Sequence, residues 1–236
     1  MKTIGLIGGL SWESTSEYYR YINEMVKRQK GGLHSAKIVM YSFNFEEMVE
    51  LQHSGKWDIA TKRMIEAGKT LQNGGVDIIV ICTNTMHICA DEMRENLDIP
   101  LLHIVDTVAE KIEEQKITKV GLLGTKFTME QPFYKELLKK QGIEVVVPNE
   151  DDRQVVHDVI YEELCKGKVK ESSKEKYLTI IEKLQQEGAG GIILGCTEIP
   201  LLIQQKDTSV PLFDTTYIHA VAAVEFALKE EKLQKV

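Results

Sequence analysis

No stretch of the chain approaches the roughly 20 consecutive apolar residues that a bilayer-spanning helix requires. The opening MKTIGLIGGLSWES breaks its short apolar run at Trp12 and Glu13, where a secretory leader would continue to a small-residue cleavage site. Paired cysteine motifs are missing as well. Cys82, Cys89, Cys165 and Cys196 show no C-x-x-C spacing and no accompanying His-x-His cluster, which argues against a bound metal. Neither sign of charge forms a long block, and the net charge is −7. A nucleic-acid or anionic-membrane partner needs a basic face and is not expected. A small anionic substrate, which one lysine or arginine can hold, is still allowed. These absences together lead to the expectation of a cytoplasmic protein with reduced thiols.

The 236 residues, 43% hydrophobic and 28% charged, fit one large domain or two small ones. Apolar, β-branched runs predict strands at 2–8, 37–43, 77–83, 101–105, 119–124, 143–148, 190–196 and 210–214. Helical patterns lie between them, as at 14–30 and 57–75. Tyr18, Tyr21, Ile22 and Met25 form the 3.6-period stripe of a helix covering a sheet. Strands without clean alternation imply burial on both faces, hence a parallel sheet and an α/β fold.

The chain also resembles itself. KTIGLIGG at 2–9 matches TKVGLLGT at 118–125, an offset of 116, and IVICTNT at 79–85 matches IILGCTE at 192–198, an offset of 113. Two strand-to-loop units recurring in the same order predict a duplicated, two-domain architecture. Ligands of open parallel sheets bind beyond the carboxyl ends of the strands. Two such domains facing each other would gather the loops 8–15, 83–87, 124–128 and 196–200 around one cleft.

Those loops carry the chemistry. GLIGGLSWEST is neither G-x-G-x-x-G nor G-x-x-x-x-G-K-[ST], and no acidic residue ends the next strand, so a dinucleotide site is disfavoured. Its glycines let backbone amides approach a small anion near the helix start, where Ser14 or Thr15 could equally be a plain N-cap. In GCTEIP, Cys196 stands where a strand gives way to a turn. Amides and a helix dipole there would lower its pKa, or it is simply a small core residue. Asn84, Thr85 and His87 in TNTMH are short polar groups suited to a carboxylate or an amine, with His87 read as a supporting residue. Strand parity puts Cys82 on the face opposite Thr83, in the core. Cys89 and Cys165 are read as structural.

These motifs, with EELCKGKV at 162–169 and LFDTTYIHA at 212–220, make the whole chain resemble the aspartate/glutamate racemase superfamily, in its aspartate racemase branch. The resemblance implies two Rossmann-like domains related by pseudo-twofold symmetry, with the active site in the cleft between them. The first would span 1–107 plus 215–236 and the second 108–214, the last helix (215–235) packing on the first domain. It implies racemisation without pyridoxal phosphate or any other cofactor, a small acidic amino-acid substrate and a homodimer. In such enzymes two thiols flank the substrate Cα, one removing its proton and the other donating on the opposite face.

Here the pattern departs: Thr83 occupies the place of the first catalytic cysteine, and Cys196 retains the second. The resemblance therefore implies deprotonation by Cys196 and reprotonation by Thr83, with the L substrate kinetically favoured. A hydroxyl is too basic to serve as an alkoxide near neutrality. Lys166 corresponds to the lysine that holds the side-chain carboxylate, and Gln52, in the loop after the second strand, falls where relatives carry an arginine. Asn84, Thr85, Thr125, Thr128 and Thr197 are candidate ligands for the amino and α-carboxylate groups, and Leu10 and Ser11 would close the cleft. Asp214 and His219 are read as buttresses. Two competing readings stay open: a decarboxylase of the same superfamily, which would release carbon dioxide, and an inactive amino-acid-binding protein, which would exchange no Cα proton.

Overall fold

The computed structural model describes residues 1–229. The chain divides into two compact units: Met1–Ile104 joined by the described residues from His219 onward, and Val105–Ile218. The first contains β1 (Ile4–Gly8), β2 (Ile38–Ser42), β3 (Ile78–Ile81) and β4 (Leu101–Leu102), and the second β5 (Lys119–Leu123), β6 (Glu144–Val146), β7 (Ile192–Leu194) and β8 (Leu212–Asp214). Each set is a parallel sheet, ordered β2-β1-β3-β4 and β6-β5-β7-β8. Every strand expected from the sequence is present, trimmed at its ends.

The shared strand order explains the internal repeat, and the repeat extends to single contacts. Cys82 N–H donates to the Ile7 carbonyl at 2.9 Å, and Gly195 N–H donates to the Leu123 carbonyl at 2.7 Å. A Cβ on Gly8 would strike Thr15, and one on Gly124 would lie 3.1 Å from Thr128. Both glycines are thus held by the close approach of a threonine from the following helix. Ser11 caps helix Trp12–Lys30 and Thr125 caps helix Lys126–Glu130. The same strand–turn–cap unit is built twice.

In the first unit the pleat sorts side chains onto two faces. Ile4, Leu6, Ile78, Val80 and Cys82 meet Tyr18, Ile22 and Val26 of helix Trp12–Lys30 and Ala220, Ala223 and Val224 of helix Thr215–Leu228. Ile7, Ile79 and Ile81 face Met64, Ala67 and Leu71 of helix Trp57–Asn73 on the other side. The helical stripe runs through Tyr18, Ile22 and Val26, successive positions of the i, i+4 row, with Tyr21 and Met25 half-buried at its margins. Helix Thr215–Leu228 supplies the described part of the last helix, and the expected continuation to 235 lies largely outside the described residues.

Two expectations need correction. Burial on both faces holds for β1 and β3 but fails for the edge strand β2, where Val39 and Met40 are exposed because the strand pairs only with β1. Cys165 is not a structural core residue. It is exposed on the 3₁₀ turn Leu164–Lys166, which buries only Leu164.

Candidate active site

The loop after β1 is held by its own hydroxyls. Thr15 Oγ1 accepts from Gly9 N–H and donates to the Ser11 carbonyl, both at 2.9 Å. The N-cap is Ser11, not Ser14 or Thr15. Its Oγ accepts from Ser14 N–H at 3.2 Å and donates to Glu13 Oε2 at 3.0 Å. Ser11 adopts φ 126°, costly for a residue with a Cβ. Leu10 turns inward and is buried in the core with Ile7 and Met48.

Ser14, freed from capping, sends its Oγ to the Cys82 carbonyl at 2.7 Å. Cys82 is fully buried and its thiol is pushed well above the usual range by burial alone. Thr83, the next residue, is half-buried just past the end of β3. Its carbonyl accepts from His87 Nδ1 at 2.8 Å. Asn84 is buried beside it, and half-buried Thr85 opens the 3₁₀ turn Thr85–Cys89. Behind this turn lies a buried aromatic cluster. His87 meets His103 at 4.7 Å and His219 at 5.4 Å between ring centroids, and Tyr18 hydrogen-bonds His219 Nδ1 at 2.8 Å. Gln52 belongs to helix Phe45–His53, not to a loop, and its Nε2 donates to Met86 Sδ at 3.3 Å. A neutral amide tolerates this weak acceptor, where an arginine would demand an anion.

In the second unit, Cys196 occupies the position beyond β7 that Thr83 occupies beyond β3. Its Sγ donates to Glu198 Oε2 at 2.9 Å, and Thr197 Oγ1 donates to the same oxygen at 2.9 Å. The thiol is held well above its ordinary pKa by burial first, then by the Glu198 charge and by its own hydrogen bond to that carboxylate. The expected lowering by a helix dipole is therefore overturned. The helix that follows, Ile199–Leu202, has only four residues, too few to oppose a carboxylate in direct contact. Glu198 itself is buried, 7% exposed, and escaped the sequence reading although it lies two residues from Cys196. The only signal was an acidic residue directly after two polar ones in a buried-looking turn.

The remaining candidates of this unit fall around the same strand ends. Thr125 Oγ1 accepts from Thr128 N–H and lies 3.3 Å from Thr128 Oγ1, with Thr128 buried. Asp214 Oδ1 accepts the first amides of helix Thr215–Leu228, and Thr215 Oγ1 donates to the Leu194 carbonyl at the end of β7, at 2.9 Å. Lys166 is exposed and paired with Glu162 one helical turn earlier, so no buried partner fixes it. Tyr161, packed on His157 at 4.7 Å, is another residue the sequence reading missed. Its phenol is pushed up by burial and by the nearby Cys196, Cys165 and Glu198. No group of three or more His, Cys, Asp or Glu that could hold a metal ion occurs among the described residues, and no helix among them is long and apolar enough to cross a membrane.

A thiol bonded to a buried carboxylate after one sheet, and a hydroxyl at the equivalent place after the other, are suited to moving protons. A crystal structure of a proposed Asp/Glu racemase from Yersinia pestis is 53% identical, with a TM-score of 0.93 over 97% of this chain and 100% of that one. An aspartate racemase homologue from Pyrococcus horikoshii is 40% identical, with a TM-score of 0.86 over 96% of this chain and 99% of that one. The broad specificity amino-acid racemase RacX of Bacillus subtilis is 24% identical over 226 residues, covering 94% of this chain and 96% of its own. The model of the Asp/Glu/Hydantoin racemase family matches residues 7–223, and the chain belongs to that family.

Proposed function

We propose that the protein is an amino-acid racemase that interconverts L- and D-aspartate or glutamate without pyridoxal phosphate, using Cys196 on one face of the substrate Cα and Thr83 on the other. The observation that carries this reading is the 2.9 Å hydrogen bond from Cys196 Sγ to Glu198. A thiol raised above its ordinary pKa is a weak source of thiolate unless something accepts its proton, and the carboxylate is in place to do so. The thiol proton passes to Glu198, and the thiolate then removes the substrate Cα–H. Thr83, or a water it holds, delivers a proton to the other face. Thr83 recovers its proton from water while Glu198 releases one, so the enzyme returns to its starting state.

Asn84, Thr85, Thr125, Thr128 and Thr197 supply short hydroxyl and amide groups for the amino group and for the α-carboxylate, where charge builds as the carbanion forms. Lys166 takes the side-chain carboxylate and Gln52 lies at the distal end, with Ser11 closing the site while Leu10, buried in the core, anchors that loop. Only one thiol flanks the Cα, so proton removal is faster from one enantiomer, the L form. The two directions therefore differ in kcat and KM while the equilibrium constant stays at one. The names of the relatives support an amino-acid substrate; the homodimer and the cytoplasmic setting are taken from the resemblance to the family, and the acidic net charge is compatible with a small-molecule substrate. Incubating each enantiomer of aspartate and glutamate in buffer free of pyridoxal phosphate, followed by chiral chromatography, tests the reading. The opposite enantiomer forms with wild type and not with Cys196→Ala. Its absence with all four substrates would reject the racemase.

A further inference from the structure

We propose that His87 is a positioning residue for Thr83, its Nδ1–H holding the Thr83 carbonyl at 2.8 Å and so fixing the peptide from which the Thr83 hydroxyl is aimed. The inference rests on the racemase reading above and concerns how the second proton is delivered.

The Thr83 carbonyl can only accept, so His87 carries a proton on Nδ1, and burial together with the neighbouring His103 and His219 keeps the ring neutral. Its other nitrogen, Nε2, is buried without a hydrogen-bond partner among the described residues. The side chain therefore directs its one donor to the backbone beside Thr83 and leaves its acceptor unused, an arrangement that packing alone does not call for. Edge-on contacts with His103 and His219 hold the ring in place. The neighbouring carbonyl, that of Cys82, is held by Ser14 Oγ at 2.7 Å. The peptide groups on both sides of Thr83 are thus each tied by a buried side chain, leaving rotation about the Thr83 side chain as its main freedom.

A hydroxyl is a poor proton donor, and a displacement of about 1 Å at a reacting group can cost about 10²-fold in rate. Fixing its origin raises the share of carbanions that are protonated by Thr83 before Cys196 returns its own proton. The partition between the two fates reads this directly. In deuterium oxide, once the Cys196 thiol has exchanged its proton with solvent, return from it gives substrate labelled at Cα with its configuration retained, whereas delivery from Thr83 gives labelled substrate of inverted configuration.

The test measures inversion against retained exchange for wild type, Thr83→Ala, His87→Gln, His87→Asn and Ser14→Ala, starting from each enantiomer. The Asn amide nitrogen sits where Nδ1 was, and that of Gln where Nε2 was. His87→Gln is expected to lower the inversion-to-exchange ratio about tenfold or more while retained exchange stays within about threefold of wild type. His87→Asn restores most of the ratio. Ser14→Ala, which frees the adjacent carbonyl, lowers it independently if the Gln variant does not fold. A general loss of folding would reduce exchange and inversion by the same factor. That result in both His87→Gln and Ser14→Ala, or a ratio in His87→Asn as low as in His87→Gln, would overturn the proposal. Wild type that neither exchanges nor inverts would reject the racemase reading itself, and with it this one.

Discussion

The buried histidine cluster of the first unit makes the protein acid-sensitive by an amount that follows from its hydrogen bonds. His219 is fully buried; its Nε2 lies 3.1 Å from the Leu102 carbonyl and its Nδ1 2.8 Å from the Tyr18 hydroxyl. The carbonyl only accepts, so the proton sits on Nε2, Tyr18 donates to Nδ1, and a second proton has no place. Burial first, and the neighbouring His103 as well, push its pKa down to about 3. In the unfolded chain the value returns to about 6.5. Between those two pH values the unfolded state binds a proton that the folded state refuses, so stability falls as pH falls, by up to ~1.4 kcal/mol per pH unit. From pH 7 to pH 5 the loss from His219 alone is about 2 kcal/mol. His87, also lowered by burial and by its two histidine neighbours, adds to it with the same sign. Urea unfolding followed by tryptophan fluorescence isolates this unit, because both tryptophans, Trp12 and Trp57, lie in it. His219→Gln can still donate to Leu102 but does not titrate. It should be less stable than wild type at pH 7 and lose about 2 kcal/mol less on going to pH 5. Equal losses in the two proteins would refute the assignment of a neutral, doubly bonded His219.

Three further outcomes are expected. Glu198→Gln removes the acceptor of the Cys196 proton while keeping its shape, so kcat/KM falls about 10²-fold or more, in the range of general acid–base effects; steady-state kinetics from pH 6 to 9 show whether the loss shrinks as pH rises toward the pKa of the unassisted thiol. Thr83→Cys supplies a second thiol and brings the kinetic constants for D and L substrate closer together, which progress curves from each enantiomer measure. Glu162→Gln frees Lys166 from an exposed ion pair worth ~0–1 kcal/mol, lowering KM for acidic substrates by up to about fivefold and leaving kcat unchanged, whereas Lys166→Ala raises KM for them.

The residues differ in how legible they were. The strands and the duplication could be read because continuous β-branched runs and recurring Gly-containing turns are local properties. The same locality placed Cys82 correctly, since strand parity alone decides that it joins Tyr18 and Val80 in the core. Exposure at β2 could not be read, because Val39 and Met40 match a central strand in composition and only sheet order makes theirs an edge. The direction of the Cys196 shift was missed for a different reason. A helix dipole was expected from the turn, but the turn brings a carboxylate onto the sulfur and the helix stops after one turn. Ser11 replaced Ser14 as the cap because Ser14 is engaged by Cys82, 68 residues away in sequence. Contacts of that span leave no trace in local pattern.

The central claim is that Cys196 and Thr83 act on opposite faces of one carbon. Proton NMR of each enantiomer of aspartate and glutamate in deuterium oxide, with wild type, Cys196→Ala and Thr83→Ala, tests it most directly. With wild type the Cα–H signal of at least one substrate is lost as the opposite enantiomer appears; from the enantiomer whose proton Cys196 removes, Thr83→Ala still exchanges that proton but with retained configuration, and Cys196→Ala does neither. Inversion that survives in Thr83→Ala at the wild-type rate, or exchange that survives in Cys196→Ala, would contradict the account.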